Sequence, residues 1–197
     1  PGGYVVNASS EQGLLAVNGM SYQARDGENA NSALIVTVTP KDFPEEGALG
    51  GIAFQRDLEK KAWELGKGKV PVQLFGDFCA HQPSSQLGEI HPNIKGGYVL
   101  TDVRSILPKE LGDSIEEGIF AFGKKLSGFD RKDAVLSGIE SRTSSPVRLV
   151  RDQKGLSNIT GIYPCGEGAG YAGGITSAAM DGIKTAEWIA SEYMMKL

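Results

Sequence analysis

The sequence is poor in the residues that build covalent or metal-centred frameworks. Its 197 residues include two cysteines, Cys79 and Cys165, and two histidines, His81 and His91. Two cysteines without CxxC spacing exclude a disulfide scaffold and point to a reducing, cytoplasmic setting. Cys165, directly before the glycine loop, reads as a small buried packing residue, the usual role of a free cysteine, with a redox role as the alternative. Neither histidine belongs to a Cys, Asp or Glu pattern with ligand spacing, so no metal site is expected. Long apolar runs are also missing. None approaches the ~18 residues that a membrane-spanning helix needs, so no membrane partner is expected. Basic charge is not in excess either: 20 Lys and Arg stand against 24 Asp and Glu, a net charge of −4. That balance excludes a nucleic-acid binder of the electrostatic kind.

Glycine, by contrast, is abundant, with 27 residues. The glycines fall in discrete loops without a fixed period, which excludes collagen-like and low-complexity chains. Their densest cluster lies between Asn158 and Ala190. Here a short apolar run, Ile159 to Tyr163, predicts a buried strand, and Pro164 predicts a turn. Gly166, Gly168, Gly170, Gly173 and Gly174 follow, with Glu167 as the only charged group among them. Then Ile175, Ala178, Ala179, Ile183, Ala186, Ala190 and Met194 recur at threes and fours, the apolar stripe of an amphipathic helix. Ser177, Asp181, Lys184 and Glu187 fall on its other faces.

Strand, glycine loop and helix in this order have a physical use. A helix start presents unpaired N–H groups and the positive end of the dipole, which attract a phosphate or the electron-rich edge of a ring. Glycines let such a ligand approach the backbone closely. Glu167 would repel phosphate but accept hydrogen bonds from sugar hydroxyls. The spacing fits the first dinucleotide fingerprint poorly, because Tyr171 stands where a small residue belongs and no acidic residue follows about twenty positions on. On residue chemistry alone, a packing turn and a ligand loop stand side by side.

The rest of the chain predicts an α+β fold, a mixed sheet with covering helices. Tyr4 to Asn7 and Gly13 to Val17 read as strands, with Asn18-Gly19 as a turn dipeptide. Met20 to Asn31 reads as a polar loop. Ser32 to Thr39 is the clearest strand, β-branched at every position from Ile35 to Thr39. Gly51 to Gly66 reads as a helix with Phe54, Leu58, Ala62 and Leu65 on one stripe. Its Lys60 and Lys61 are diluted by Glu59 and Glu64, the composition of a solvated face. Val70 to Ile94, with Pro71, Pro83 and Pro92, reads as an irregular connection or lid. A second amphipathic helix begins at Pro108 and closes near Gly128, carrying Leu111, Ile115, Ile119, Phe122 and Leu126. Ala134 to Glu140 and Pro146 to Arg151 read as strands around Ser141 to Ser145. Arg142, Arg148 and Arg151 beside these hydroxyls could hold an anionic substrate bidentately, or could pair with Glu140 and Asp152 at the surface.

The run Tyr163-Pro164-Cys165-Gly166-Glu167-Gly168-Ala169-Gly170-Tyr171-Ala172-Gly173-Gly174-Ile175, with Ser177-Ala178-Ala179 and Asp181-Gly182-Ile183, resembles the C-terminal flavin motif of a family of FAD-dependent dehydrogenases. These are largely uncharacterised bacterial proteins related to the glutathione-reductase type of flavoprotein. The resemblance continues through Pro1-Gly2-Gly3, Asn18 to Ser21, Asn29 to Ala33 and Glu140 to Arg148, almost the whole chain. It implies FAD as cofactor, lined by Gly166, Glu167, Gly168, Gly170, Gly173, Gly174 and Ile175, with Arg142 and Arg148 toward a small-molecule substrate. It also makes Arg25 to Asn31 a candidate for facing the ligand, against a turn whose Asn and Asp side chains satisfy their own backbone. By the same resemblance the chain is a C-terminal portion lacking the N-terminal Rossmann unit. Residues 1–153 would form a middle, substrate domain and 154–197 the end of the FAD-binding domain. Apolar faces left without their partner strands would favour a homodimer. Two other functions suit the residues: a non-catalytic interaction module, and a nucleotide or phosphate binder without redox chemistry. No catalytic acid or base stands out.

Overall fold

The computed structural model describes residues 1–194. They form two compact units: Pro1–Asp42 with Gln55–Ser141, and Phe43–Phe54 with Arg142–Leu197.

The first unit holds two small mixed sheets, and the fold is α+β. In one sheet, β1 (Gly3–Asn7) pairs antiparallel with β2 (Val17–Ser21) and, from its other edge, parallel with β4 (Ile94–Lys95). In the other, β3 (Val70–Leu74) lies between β5 (Tyr98–Leu100), parallel to it, and β6 (Val135–Ser137), antiparallel. Gly96, with φ 95°, turns the chain between β4 and β5 and so from one sheet to the other. Helix α1 (Gly50–Gly66) places Leu58 and Ala62 in the core of this unit, as its stripe predicts. The short α2 (Phe75–Cys79) follows β3 directly, and Phe75 and Phe78 are buried with Leu15, Val70, Val72 and Ile106.

Helix α3 (Lys109–Gly123) is tied down by a buried arginine. Arg104 donates to Glu116 Oε2 at 2.6 Å, to Asp113 Oδ1 at 2.5 Å and to the carbonyl of Phe78 at 3.3 Å. Its guanidinium also lies 4.6 Å from the centre of the Phe78 ring. A charge that reaches the interior is thus paired and hydrogen-bonded throughout, which keeps the cost of its desolvation down.

Several sequence expectations fail here for identifiable reasons. Asn18-Gly19 is not a turn but part of β2, because the Asn31 side chain occupies the space over Gly3 and Gly19. A Cβ at Gly19 would stand 2.8 Å from Asn31 Nδ2, so this strand glycine marks a close approach. Val70 to Ile94 is not irregular throughout; it contains β3 and α2. Pro71 sits in a central strand because its missing N–H falls at the end of the β3–β6 ladder, where its carbonyl still accepts from Gly138 N. Glu59 does not lie on a solvated face: it is buried and accepts from Ser141 Oγ at 2.6 Å. Ser32 to Thr39 belongs to neither sheet.

The second unit contains α4 (Ile175–Met194) and the irregular chain packed on it. The predicted strands at Ile159 to Tyr163 and Pro146 to Arg151 do not form. Gly161, with φ 86°, makes a turn in which Ile162 N donates to Ile159 O, so both isoleucines point to solvent. Helix α4 itself is turned away from its predicted stripe. Its covered positions are Ala178, Asp181, Gly182, Thr185, Trp188, Ile189 and Glu192, while Ile175, Met180, Ile183 and Met194 are exposed.

Candidate functional site

The glycine loop is built within the second unit. Its framework is an ion pair: Arg151 donates to both oxygens of Asp181, at 2.6 and 2.9 Å, and to the carbonyl of Pro164 at 2.8 Å. Asp181 Oδ2 also accepts from Gly166 N at 2.8 Å, so one carboxylate joins the loop entrance to the second turn of α4. The Arg151 guanidinium, with the Gly166 amide after it, lowers the Asp181 carboxyl to a pKa of about 2. Arg151 therefore pairs with Asp181; neither Glu140 nor Asp152 is its partner. Asp152 instead accepts from the amides of Lys154 and Leu156, closing a local turn.

Tyr171, which spoils the dinucleotide fingerprint, is the second clamp. Its hydroxyl donates to Leu149 O at 3.0 Å and accepts from Arg151 N at 3.2 Å. Its ring centre lies 3.6 Å from the Arg151 guanidinium and 4.3 Å from that of Arg148. Leu149 N donates to Ala169 O, and Ser145 Oγ donates to Gly168 O at 3.1 Å. The hydroxyl- and arginine-rich segment and the glycine loop, separate in sequence, thus run side by side.

The five glycines divide into two groups. Gly166 and Gly170 have φ of 71° and 81°, which L side chains rarely adopt, and a Cβ on Gly170 would meet Val147 O at 2.5 Å. Internal geometry explains both. Gly168, Gly173 and Gly174 have no positive φ. A Cβ on Gly168 would meet nothing within 4 Å, one on Gly173 only Ser144 Oγ at 3.6 Å, and one on Gly174 only Ser177 Oγ at 3.4 Å. Nothing in the protein itself requires glycine at these three positions. Gly173 and Gly174 leave bare backbone open to solvent just before the start of α4, and Gly168 is bare and exposed elsewhere in the same loop.

That helix start is not plugged. Ser177 accepts from Gly174 N at 3.1 Å and returns a bond to Gly174 O at 2.9 Å, so the Gly174 amide is taken. Among the described residues, the amides of Ile175 and Thr176 have no acceptor, and Ile175 is 94% exposed. Two free donors and the dipole therefore face solvent directly after the bare backbone of Gly173 and Gly174. Glu167 is exposed at the rim of the loop. Such a surface offers main-chain donors beside uncovered glycines, the features that the sugar, pyrophosphate or ring edge of a dinucleotide cofactor needs.

Arg148 reaches this site, stacked on Tyr171 and exposed. Arg142 is also exposed, at the start of the same segment. Cys165 is exposed, not buried as expected, because the loop turns its side chain outward. Arg25 to Asn31, in the first unit, is occupied with its own fold: Asn29 O accepts from Gly3 N, Asn29 Nδ2 donates to His91 O, and Asn31 Nδ2 donates to Tyr4 O. Sequence reading missed Asp181 as the anchor of the loop; an acid fifteen residues past Gly166 on a helix has no local signal marking it as a partner of Arg151. Among the described residues no three His, Cys, Asp or Glu side chains are grouped to hold a metal ion. No described helix is long and apolar enough to cross a membrane.

Comparison with known proteins associates the chain with an FAD-dependent protein. It is 53% identical over 196 residues to an uncharacterised protein of Clostridium beijerinckii (strain ATCC 51743 / NCIMB 8052). The match takes in 98% of this chain but spans only 37% of the length of that curated relative. Residues 1–143 match the family described as FAD-dependent protein, C-terminal domain-like, a match that ends before the glycine loop. With most of its length covered, this chain belongs to the FAD-dependent protein C-terminal domain-like family.

Proposed function

We propose that the chain supplies the flavin-side loop and the substrate domain of an FAD-dependent oxidoreductase of dehydrogenase type, related to the glutathione-reductase class. The observation that carries this reading is the bare backbone at Gly168, Gly173 and Gly174. These three glycines lack any internal reason, and two of them, Gly173 and Gly174, directly precede two unused amides at the start of α4. When bound, the flavin supplies the hydride or electron chemistry. The chain itself supplies orientation and electrostatics. The amides of Ile175 and Thr176 hold negative charge at the helix start. Glu167 accepts from sugar hydroxyls. Tyr171 fixes the Arg148 guanidinium at the edge of the site, where it binds an anionic group of a small-molecule substrate.

The outward apolar face of α4, with Ile175, Met180 and Ile183, supports the same assignment, since it fits packing against more of a flavin domain than this chain contains. The test is the full-length Clostridium beijerinckii relative with Val at the position aligned with Gly173. The parent protein should purify with a flavin absorption band. The variant should lose the band while keeping its circular dichroism spectrum. A colourless parent, or a variant that retains flavin as tightly, overturns the reading in favour of an interaction module or a redox-inactive nucleotide binder. Thermal shifts with FAD, NAD and ATP separate those two.

A further inference from the structure

Ser32 to Thr39 is a strand in every respect but one. It is apolar or hydroxylic throughout, β-branched from Ile35 to Thr39, and its side chains alternate in burial: Leu34, Val36 and Val38 are half-buried, Ile35, Thr37 and Thr39 exposed. That period of two is the signature of an extended strand lying on a protein surface. Yet among the described residues no hydrogen bond engages the backbone of residues 32–38. Native proteins leave few backbone groups unpaired when side chains are partly buried. They also defend strand edges with charge, proline or bulges. From Ala30 to Thr39 there is no charged residue and no proline; Pro40 only ends the run.

The strand's packed side is also incompletely filled. Ala33 to Val36 and the α3 residues Ser114, Ile115, Gly118 and Phe122 border a cleft of about 260 Å³. Phe122 remains 46% exposed and Ile35 66% exposed on the two sides of it. An element with strand composition, open edges and an apolar flank is the receiving half of a strand pairing.

We infer that Ser32–Thr39 pairs with an apolar β-strand from the part of the longer protein that lies outside this chain, which also covers Ile35 and Phe122. The Clostridium beijerinckii relative carries this segment within a 98% match, yet the match is only 37% of its length, so most of that polypeptide is available to supply the strand. A strand from the same polypeptide is present at high effective concentration, an advantage over pairing with a second copy. The inference is independent of the flavin assignment, which concerns the other unit.

Hydrogen–deuterium exchange followed by peptide mass spectrometry tests it, on this 197-residue chain at two protein concentrations and on the full-length relative. The amides of residues 33–38 should exchange freely in this chain, and the aligned amides of the longer protein should be protected on the order of 100-fold. Free exchange in both proteins overturns the inference. Protection in this chain at both concentrations overturns it too, since the strand is then paired internally. Protection in this chain that grows with concentration overturns it in favour of a second copy. As a second reading, Ile35→Asp should leave the melting temperature of this chain unchanged and lower that of the longer protein; equal effects on both would contradict a covered Ile35.

Discussion

The two units of this molecule are held together by different physics. In the first, Leu15, Val70, Val72, Phe75, Phe78, Ile106 and Ile119 are buried around two paired sheets, an apolar core of the ordinary kind. In the second, the buried apolar residues of the glycine-loop region are few, and the side chains at its centre are Arg151, Asp181 and Tyr171. Several of its large apolar residues, Val150, Ile175, Met180 and Ile183 among them, are exposed. The first unit thus encloses an apolar core, while Ile35, Phe120 and Phe122 stay at its surface. The second organises its glycine-loop region with one charge-assisted clamp and leaves several large apolar side chains at the surface.

The largest effect should come from the apolar core. Phe75 is 1% exposed, and Phe75→Ala should cost about 3–5 kcal/mol and unfold the first unit in a denaturant titration. A cost below ~1 kcal/mol would erase the contrast. Next comes the clamp. Arg151 and Asp181 side chains are 9% and 13% exposed, so Asp181→Ala, which strands the guanidinium, should cost about 3 kcal/mol. Loss of protection against exchange should be confined to the glycine loop and α4. Replacing both residues, Arg151→Met with Asp181→Leu, should cost much less than the single change, and an equal cost would show that the pair is not the organising element.

Acid should then separate the units. The folded Asp181 carboxyl titrates near 2, below its value in an unfolded chain of about 3.9. Its stabilising contribution is complete above pH ~4 and is lost as pH falls toward 2, on the order of 1 kcal/mol after solvent screening. Protection factors at the glycine loop, referred to the intrinsic exchange rate at each pH, should therefore fall over that window in the wild type and not in the double replacement. A smaller effect is expected from Tyr171→Phe, which keeps the stacked ring but removes two hydrogen bonds, about 1 kcal/mol read from the melting of the second unit. The smallest belongs to the outward face of α4. Met180→Lys should change the stability of this chain by no more than ~0.5 kcal/mol, because the residue is 66% exposed. In the full-length relative the same change at the aligned position should lower solubility or melting temperature. A large effect in this chain alone would mean that the face is already covered.

Much of the site was legible because the glycine cluster and the helix after it are local features. The helices at Gly50, Lys109 and Ile175 follow from periodicity and start where their spacing predicts, although α3 ends at Gly123, short of the predicted close near Gly128, and leaves Leu126 outside it. What failed was orientation and pairing. The α4 stripe of Ile175, Ala179 and Ile183 is apolar, and apolarity alone marks it as inward. Asp181 and Thr185 are inward instead, since Arg151 comes from a segment thirty residues away in sequence and finds its carboxylate there. Ile159 to Tyr163 has strand composition but no neighbour to pair with, so a glycine turn takes its place. Tyr171 reads as a defect in a fingerprint, and only its two hydroxyl bonds reveal a clamp.

By itself the chain of residues determined where the three long helices start, which glycines cluster, and that no disulfide framework organises the fold, because these depend on neighbours within a few positions. Tertiary structure decided which face of α4 is covered, that Phe43–Phe54 joins the C-terminal segment, and which glycines are explained by backbone geometry and which are left bare. Those outcomes rest on contacts between residues tens of positions apart, and no local pattern encodes which distant side chain will arrive.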